Sequence, residues 1–150
     1  MTTLFDEETE KLFRARVAAL TPDAPARWGK MNARQMLCHL TDAYRVALGE
    51  VPVVAKWTPL CLYPLRWLFV YTLPIPKGKV PTTREFQSTA PGEWAKDVAD
   101  WNAALDRFVK RSKEKEPRWG PHPAFGDLGT GEWGRLAARH GDHHLTQFGG

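Results

Sequence analysis

The chain has 150 residues, of which 43% are apolar, and its seven Trp and seven Phe are enough to build a substantial core within one domain. Its 21 basic and 17 acidic residues give a net charge of +4 that is spread along the sequence. Nucleic-acid-binding proteins need a clustered basic face, so this small and dispersed excess of positive charge argues against a nucleic-acid partner.

Cysteine usage and hydropathy favour a reduced, cytoplasmic protein. Cys38 and Cys61 are too few for a disulfide framework, and the N-terminus, MTTLFDEETE, is acidic and unlike a signal peptide. The main apolar run, residues 57–75, contains three prolines and Arg66, whereas a membrane-spanning helix needs about 20 apolar residues with few interruptions. We therefore expect a cytoplasmic protein with a single domain over residues 1–150 and no membrane partner.

Helical periodicity begins near the N-terminus. Residues 6–20 have an apolar stripe and start with three acidic residues, which suit the positive N-terminal end of a helix dipole. A second helix is predicted over residues 33–48, where Asn32 and Gln35 have the spacing of a capping box. His39 lies on the flank of the apolar stripe of this helix.

The middle of the chain has an irregular pattern. Residues 51–83 are rich in proline and contain a short apolar run, residues 60–73, that predicts one broken helix. We expect a hydrophobic crossover packed on the bundle or against a second subunit, with an interfacial membrane contact or a pocket wall as alternatives. Residues 81–91 are expected to form an extended connection.

Two further helices are predicted in the second half of the chain. In residues 92–112 the apolar positions recur at spacings of three and four, and residues 120–129 have the Gly and Pro content of a loop. Thr130 is the expected N-cap of the fourth helix, which contains residues 132–149. These patterns predict an all-α protein, a four-helix bundle with an irregular helical crossover between helices two and three.

The fourth predicted helix concentrates histidines on the face that should be buried. His140 and His144 are one turn apart on its apolar stripe. A buried ring nitrogen without a partner costs about 1 to 3 kcal/mol, so something must satisfy these imidazoles. Of the remaining histidines, only His39 falls within another helix interior, so His39, His140 and His144 would form a three-histidine metal site with open coordination positions.

Two alternatives to this ligand set remain open on spacing alone. His140 and His143 are also neighbours on a helix, so they could supply the pair instead. The histidines could also be hydrogen-bonded core residues that hold no metal.

Two polar residues near the candidate ligands are placed to form hydrogen bonds with the imidazole rings. Gln147 lies one turn beyond His144 and is placed to orient a ligand imidazole, while Asp42 is placed to accept a hydrogen bond from His39. Surface solvation is the alternative for both. Cys38 adjoins His39 in sequence but points about 100° away from it on a helix, which indicates a structural thiol rather than a nucleophile.

Three sequence blocks resemble the DinB-like superfamily of metal-dependent helical bundles. They are WGKMNARQMLCHLTDAY around His39, HPAFGDL at residues 122–128 and EWGRLAARHGDHHLTQFG at residues 132–149. Within that superfamily they look like a branch of small bacterial proteins of unknown function. The second block contains His122, for which we expect loop packing more than a place at the mouth of a pocket.

The resemblance implies a DinB-like four-helix bundle, usually a homodimer, in which His39, His140 and His144 bind nickel or zinc. Members with a known activity are thiol-dependent transferases or isomerases, which implies a small-molecule substrate such as a low-molecular-weight thiol, with the metal activating that thiol or water. The rival interpretation is a non-catalytic dimeric helical protein with a structural or absent metal and a binding or stress-related role. A closed four-ligand site that includes His143 would favour the rival.

Overall fold

The computed structural model describes residues 2–77 and 83–150, and over those residues the protein is all-helical without a β-strand. This confirms the predicted fold class. The elements are α1 Glu7–Ala19, α2 Ala33–Ala47, a 3-10 turn Pro59–Cys61, α3 Leu65–Tyr71, a 3-10 turn Arg84–Gln87, α4 Trp94–Ser112 and α5 Thr130–Gln147.

The four long helices, α1, α2, α4 and α5, bury one continuous core between them. Full burial of a large apolar side chain stabilises the folded state by about 1.5 to 3 kcal/mol relative to exposure, so this core dominates the stability of the bundle. Its members include Phe13 and Val17 of α1, Met36, Leu37 and Leu40 of α2, Trp101, Leu105 and Phe108 of α4, and Trp133 and Leu145 of α5.

The start of α2 follows the predicted capping box. The Asn32 side chain accepts a hydrogen bond from the Gln35 backbone N–H at 2.8 Å, and Gln35 Oε1 accepts one from the Asn32 N–H at 3.0 Å. Together they satisfy two N–H groups that would otherwise lack partners. Since the register of α2 is fixed from this end, His39 falls on its buried side.

The start of α5 differs from the prediction by one residue. Gly129, not Thr130, is the N-cap, and its N–H donates to Glu132 Oε2 at 2.9 Å. The Thr130 hydroxyl oxygen instead accepts a hydrogen bond from Trp119 Nε1 at 2.9 Å. The tertiary contact therefore overrides the local capping preference.

The middle of the chain, residues 51–77, crosses the surface of the bundle. The predicted broken helix is present as the 3-10 turn Pro59–Cys61 followed by α3, and α3 packs against α5. Arg139 of α5 donates hydrogen bonds to the carbonyls of Phe69 and Val70 at 2.8 and 2.7 Å, near the end of α3. No helix of the described residues combines the length and the hydropathy needed to cross a membrane.

The expectation of an extended connection over residues 81–91 is wrong for Arg84–Gln87. Pro81 and Thr82 lie outside the described residues, but Arg84–Gln87 form a 3-10 turn that packs against α2. The Phe86 ring packs on the core. This tertiary packing stabilises the turn, whereas the local sequence alone does not predict it. The turn also brings a backbone carbonyl to the histidines.

Candidate metal centre

Three histidines from two helices converge at one point of the bundle. His39 comes from α2, whereas His140 and His144 come from successive turns of α5. One ring nitrogen from each can be chosen so that all three atoms lie within 4.8 Å of one another. The closest approach joins the Nε2 atoms of His39 and His140, at 2.8 Å.

Backbone and side-chain acceptors fix the orientation of two of the rings. His39 Nδ1 lies 2.8 Å from the Phe86 carbonyl oxygen, which can only accept, so Nδ1 carries the proton. A neutral His39 therefore presents an unprotonated Nε2 toward His140. This arrangement is typical of metal-binding histidines, whose second nitrogen donates to a carbonyl or a carboxylate.

His144 is oriented in the same way through a relay. Its Nδ1 lies 2.8 Å from Gln147 Oε1, while Gln147 Nε2 donates to the carbonyl of Trp28. Because that carbonyl can only accept, the amide of Gln147 must turn its oxygen toward His144. His144 Nδ1 then carries the proton and Nε2 is left free. The predicted contact between Gln147 and the His144 ring is present.

Asp42 does not take part in this network, and its predicted hydrogen bond with His39 is wrong. Its buried carboxylate instead accepts from the backbone N–H and the hydroxyl of Thr89, at 2.8 and 2.6 Å, and from Arg45 at 3.1 Å. The Phe86 carbonyl holds the position at His39 that Asp42 was expected to fill. Such a backbone acceptor, on a turn that is distant along the chain, cannot be recognised from the residue types in the sequence.

Burial keeps the three imidazoles neutral. Desolvation is the main reason that the pKa of His39 is lowered, that the pKa of His140 lies well below its usual range, and that the pKa of His144 falls to about 3. For His140 and His144 the proximity of His39 lowers the pKa further. A histidine must be neutral to bind a metal, so these rings are ready to bind one at neutral pH without first losing a proton.

His143 lies outside this cluster. It is half-buried, and its ring meets the ring of Trp28 in an edge-to-face arrangement with centroids 5.6 Å apart. The structure therefore brings together His39, His140 and His144, and it separates His143 from the three nitrogens. Of the two histidine pairs that spacing allowed, His140 with His144 is the one that faces His39.

A cavity of about 560 Å³ opens beside the three histidines. Among the described residues that line it, Lys30 is the only charged side chain. An apolar wall excludes water and accommodates an apolar molecule of moderate size. Most of the wall is aromatic or aliphatic, including Phe69, Leu73, Phe86, Phe125, Trp133 and Leu136.

His122 packs its own loop, as predicted, and also lines the cavity. Its Nδ1 accepts hydrogen bonds from the backbone N–H groups of Ala124 and Phe125, at 3.1 and 3.2 Å. Burial lowers the pKa of His122 to about 4, so the ring stays neutral and keeps accepting both bonds. It is not one of the three converging histidines.

Cys38 is buried in the core and absent from the cavity wall. Burial, with smaller effects from nearby carboxylates, raises the pKa of its thiol to about 11. The thiolate is the reactive form of cysteine, so this residue is unreactive near neutral pH. The interpretation of Cys38 as a structural thiol agrees with this burial.

Comparison with known proteins gives one match at the level of families. A family model described as the DinB superfamily matches residues 6–148, a range that includes all three converging histidines. No curated protein and no solved structure matches the chain significantly.

Proposed function

The chain belongs to the DinB superfamily, and from this premise we propose that it binds a divalent transition metal ion, nickel or zinc, through His39, His140 and His144. The observation that carries the proposal is the convergence of three neutral imidazole nitrogens within 4.8 Å. Two of these rings already have their Nδ1 protons engaged elsewhere, which leaves their Nε2 atoms available.

The chemistry of the donors fits this kind of ion. Imidazole nitrogen suits zinc and nickel, whereas calcium and magnesium prefer oxygen ligands. No carboxylate among the described residues joins the three histidines. The Nε2 atoms of His39 and His140 are 2.8 Å apart, which is a hydrogen-bond distance, so without an ion His140 donates to the unprotonated Nε2 of His39, and a bound ion would take the place of that proton.

We propose that the centre is catalytic, because the chain supplies three ligands and leaves coordination positions open. A divalent ion bound by three neutral imidazoles keeps its double positive charge and lowers the pKa of a thiol or water bound beside them. His143 packs against Trp28 and does not belong to the converging group of nitrogens, so we do not assign it as a fourth ligand. Phe86 and Gln147 hold the ligand rings in place, and the apolar wall keeps bulk water out.

The proposed reaction class is a thiol-dependent transfer or isomerisation with a low-molecular-weight thiol, or with water in its place. The lining of the cavity fits two reactants of different polarity. Lys30 can pair with a carboxylate of a small thiol, while the aromatic and aliphatic wall accommodates an apolar electrophile. Both reactants would meet beside His140, the most solvent-accessible of the three ligands.

Metal analysis tests the binding part of this proposal. Protein purified without a nickel column should contain a stoichiometric transition metal, and His39→Ala, His140→Ala and His144→Ala should each abolish stoichiometric loading. His143→Ala is the matched control, since it removes an imidazole from the same helix outside the cluster. Absence of metal in the wild type, or full loading of all three ligand variants, would refute the assignment.

A cobalt-substituted protein separates a catalytic centre from a structural one. If coordination positions are open, a small thiol such as cysteamine should change the visible cobalt spectrum and add a thiolate charge-transfer band. A closed structural site would leave the spectrum unchanged at every thiol concentration. That result would favour the non-catalytic interpretation even if the metal is confirmed.

A further inference from the structure

The crossover presents an unusually apolar surface to solvent. We call the exposed large apolar side chains between Val54 and Leu73 the crossover face. Val54, Trp57 and Tyr63 are 82%, 74% and 70% exposed, which is far more than isolated surface apolar residues require. The other members of the face are Leu62, Leu65, Trp67, Leu68, Phe69 and Leu73.

Polar contacts on the inner side of the crossover explain why this face remains outside. Thr58 donates its hydroxyl to the Ala124 carbonyl at 2.7 Å, and Arg66 pairs with Glu132 at 2.9 Å. Within α3 only Val70 is buried against the bundle. The segment is therefore fixed to the bundle along one side, and Trp57, Tyr63 and Trp67 remain exposed on the other.

The charge of this part of the chain has one sign. Residues 51–84 contain no Asp or Glu, and their five basic residues are Lys56, Arg66, Lys77, Lys79 and Arg84. Arg66 is neutralised by Glu132. Lys56 and Lys77 are exposed and form no ion pair with any described residue. Lys77 lies over the Trp28 ring, 4.3 Å from its centroid.

We propose that the crossover face docks on the surface of an anionic phospholipid bilayer. Trp and Tyr favour the headgroup region because each has an apolar body and a polar edge, and Lys residues beside them attract anionic lipids. The sequence-based expectation of no membrane partner concerned spanning helices, whereas peripheral docking requires only a one-sided apolar and basic face. This inference does not depend on the metal.

The same charges argue against a second copy of the chain as the occupant. A symmetric dimer places the same surface of both subunits in contact, so the net positive charge of residues 51–84 in each copy would face that of the other. An anionic bilayer supplies the missing negative charge. The expected homodimer, if it forms, would then use another face.

Docking would also place the cavity beside the lipid. Leu60, Phe69 and Leu73 belong to the crossover and line the cavity as well. A molecule dissolved in the bilayer would therefore meet the wall of the cavity from the docked side.

Vesicle flotation tests the proposal. The full chain is mixed with vesicles of phosphatidylcholine alone or of an equal mixture of phosphatidylcholine and phosphatidylserine. We expect flotation with the mixed vesicles, loss of it in Trp57→Ala/Tyr63→Ala, and partitioning weakened by at least about 25-fold in Lys56→Glu/Lys77→Glu, since the loss of each basic residue near an anionic surface costs about fivefold and the added Glu is repelled. These side chains are exposed, so circular dichroism should show unchanged folding.

The matched controls are Leu12→Ala, which removes an exposed apolar residue of α1, and Lys115→Glu, which reverses an exposed charge beyond α4. Both should float as the wild type does. The proposal is overturned if the folded wild type does not float with mixed vesicles, or if the crossover variants float as well as the controls. Sedimentation velocity adds one decisive outcome: a dimer that Trp57→Ala/Tyr63→Ala dissociates would show that a second copy covers the face.

Discussion

His144 donates its Nδ1 proton to the amide oxygen of Gln147 across 2.8 Å, and the Trp28 carbonyl fixes which end of that amide faces the ring. A backbone carbonyl before α2 thus determines which nitrogen of a histidine in α5 is free. The geometry links the entry to α2 with the end of α5, so the candidate centre depends on how the two helices are joined as well as on its ligands.

Gln147→Ala should weaken metal binding without removing a ligand. The variant leaves His144 free to change tautomer and to rotate, and the loss of such a supporting hydrogen bond typically costs about 10- to 100-fold in metal affinity. Competition with a chromophoric chelator measures the change. Gln87→Ala is the control, because Gln87 lines the same cavity but does not contact His144. Equal affinities for Gln147→Ala and the wild type would disprove the orienting role.

Asp42→Asn should destabilise the fold while leaving stoichiometric metal binding intact. The buried carboxylate accepts from both the N–H and the hydroxyl of Thr89, and an amide can offer only one acceptor oxygen to them. Loss of a hydrogen bond to a charged buried group costs about 1.5 to 3 kcal/mol. Urea denaturation would show this as a lower midpoint.

Asp100→Asn is the matched control for Asp42→Asn. Asp100 is exposed on α4 and pairs only with Lys96, so its replacement should change the free energy of unfolding by less than about 1 kcal/mol. If the two variants unfold at the same urea concentration, the buried carboxylate does not have the structural role assigned to it.

The long helices and the histidine pair were predictable because they depend on local or periodic signals. The capping box of Asn32 and Gln35 fixes the start of α2 from residues three apart, and the apolar stripe of α5 identifies the inward face that carries His140 and His144. The choice of His39 as the third histidine also required only that it lie inside a second helix.

The acceptors that orient those histidines were not predictable in the same way. The Phe86 and Trp28 carbonyls belong to the backbone, which is the same for every residue type. The identity of a residue therefore does not indicate that its carbonyl will accept a hydrogen bond at the site. They reach the site through the turn Arg84–Gln87 and the entry to α2, whose positions depend on tertiary packing. Thr130 failed as an N-cap for a related reason, since a distant indole takes its hydroxyl.

Gly141→Ala should destabilise the bundle because α1 and α5 approach closely there. A Cβ on Gly141 would lie 2.4 Å from Cε1 of Phe13, whose ring is buried and cannot move aside. Overpacking of this kind costs about 1 to 3 kcal/mol. Alanine in place of glycine stabilises a helix by about 1 kcal/mol, so the cost exceeds the gain over most of its range. Thermal unfolding of the metal-free protein measures the balance.

Gly131→Ala is the control within α5. The nearest atom to its added Cβ would be the Tyr71 hydroxyl oxygen at 3.8 Å, an ordinary contact, so this variant should be neutral or slightly stabilised. We expect Gly141→Ala to be less stable than Gly131→Ala by about 1 to 3 kcal/mol. The reverse order would show that α1 can withdraw from α5 at little cost.

The metal-free protein should lose stability as the pH falls below about 6.5, the ordinary pKa of histidine in an unfolded chain. Burial lowers the pKa of His122 to about 4 and that of His144 to about 3, so the folded state resists protonation while the unfolded state accepts it. The unfolded state then binds more protons, and the free energy of unfolding decreases as the pH decreases. The loss continues down to the folded-state pKa values and approaches about 1.4 kcal/mol per pH unit for each such histidine.

His122→Asn isolates one contribution to this pH dependence. The Asn oxygen can accept from the backbone N–H groups of Ala124 and Phe125 as His122 Nδ1 does, but the side chain does not titrate. In the presence of a chelator, its free energy of unfolding should fall less steeply than that of the wild type between about pH 6 and 5, by about 1 kcal/mol per pH unit. Parallel curves for the two proteins would mean that His122 takes up a proton as readily in the folded state as in the unfolded state, and therefore that its ring is not buried as the structure places it.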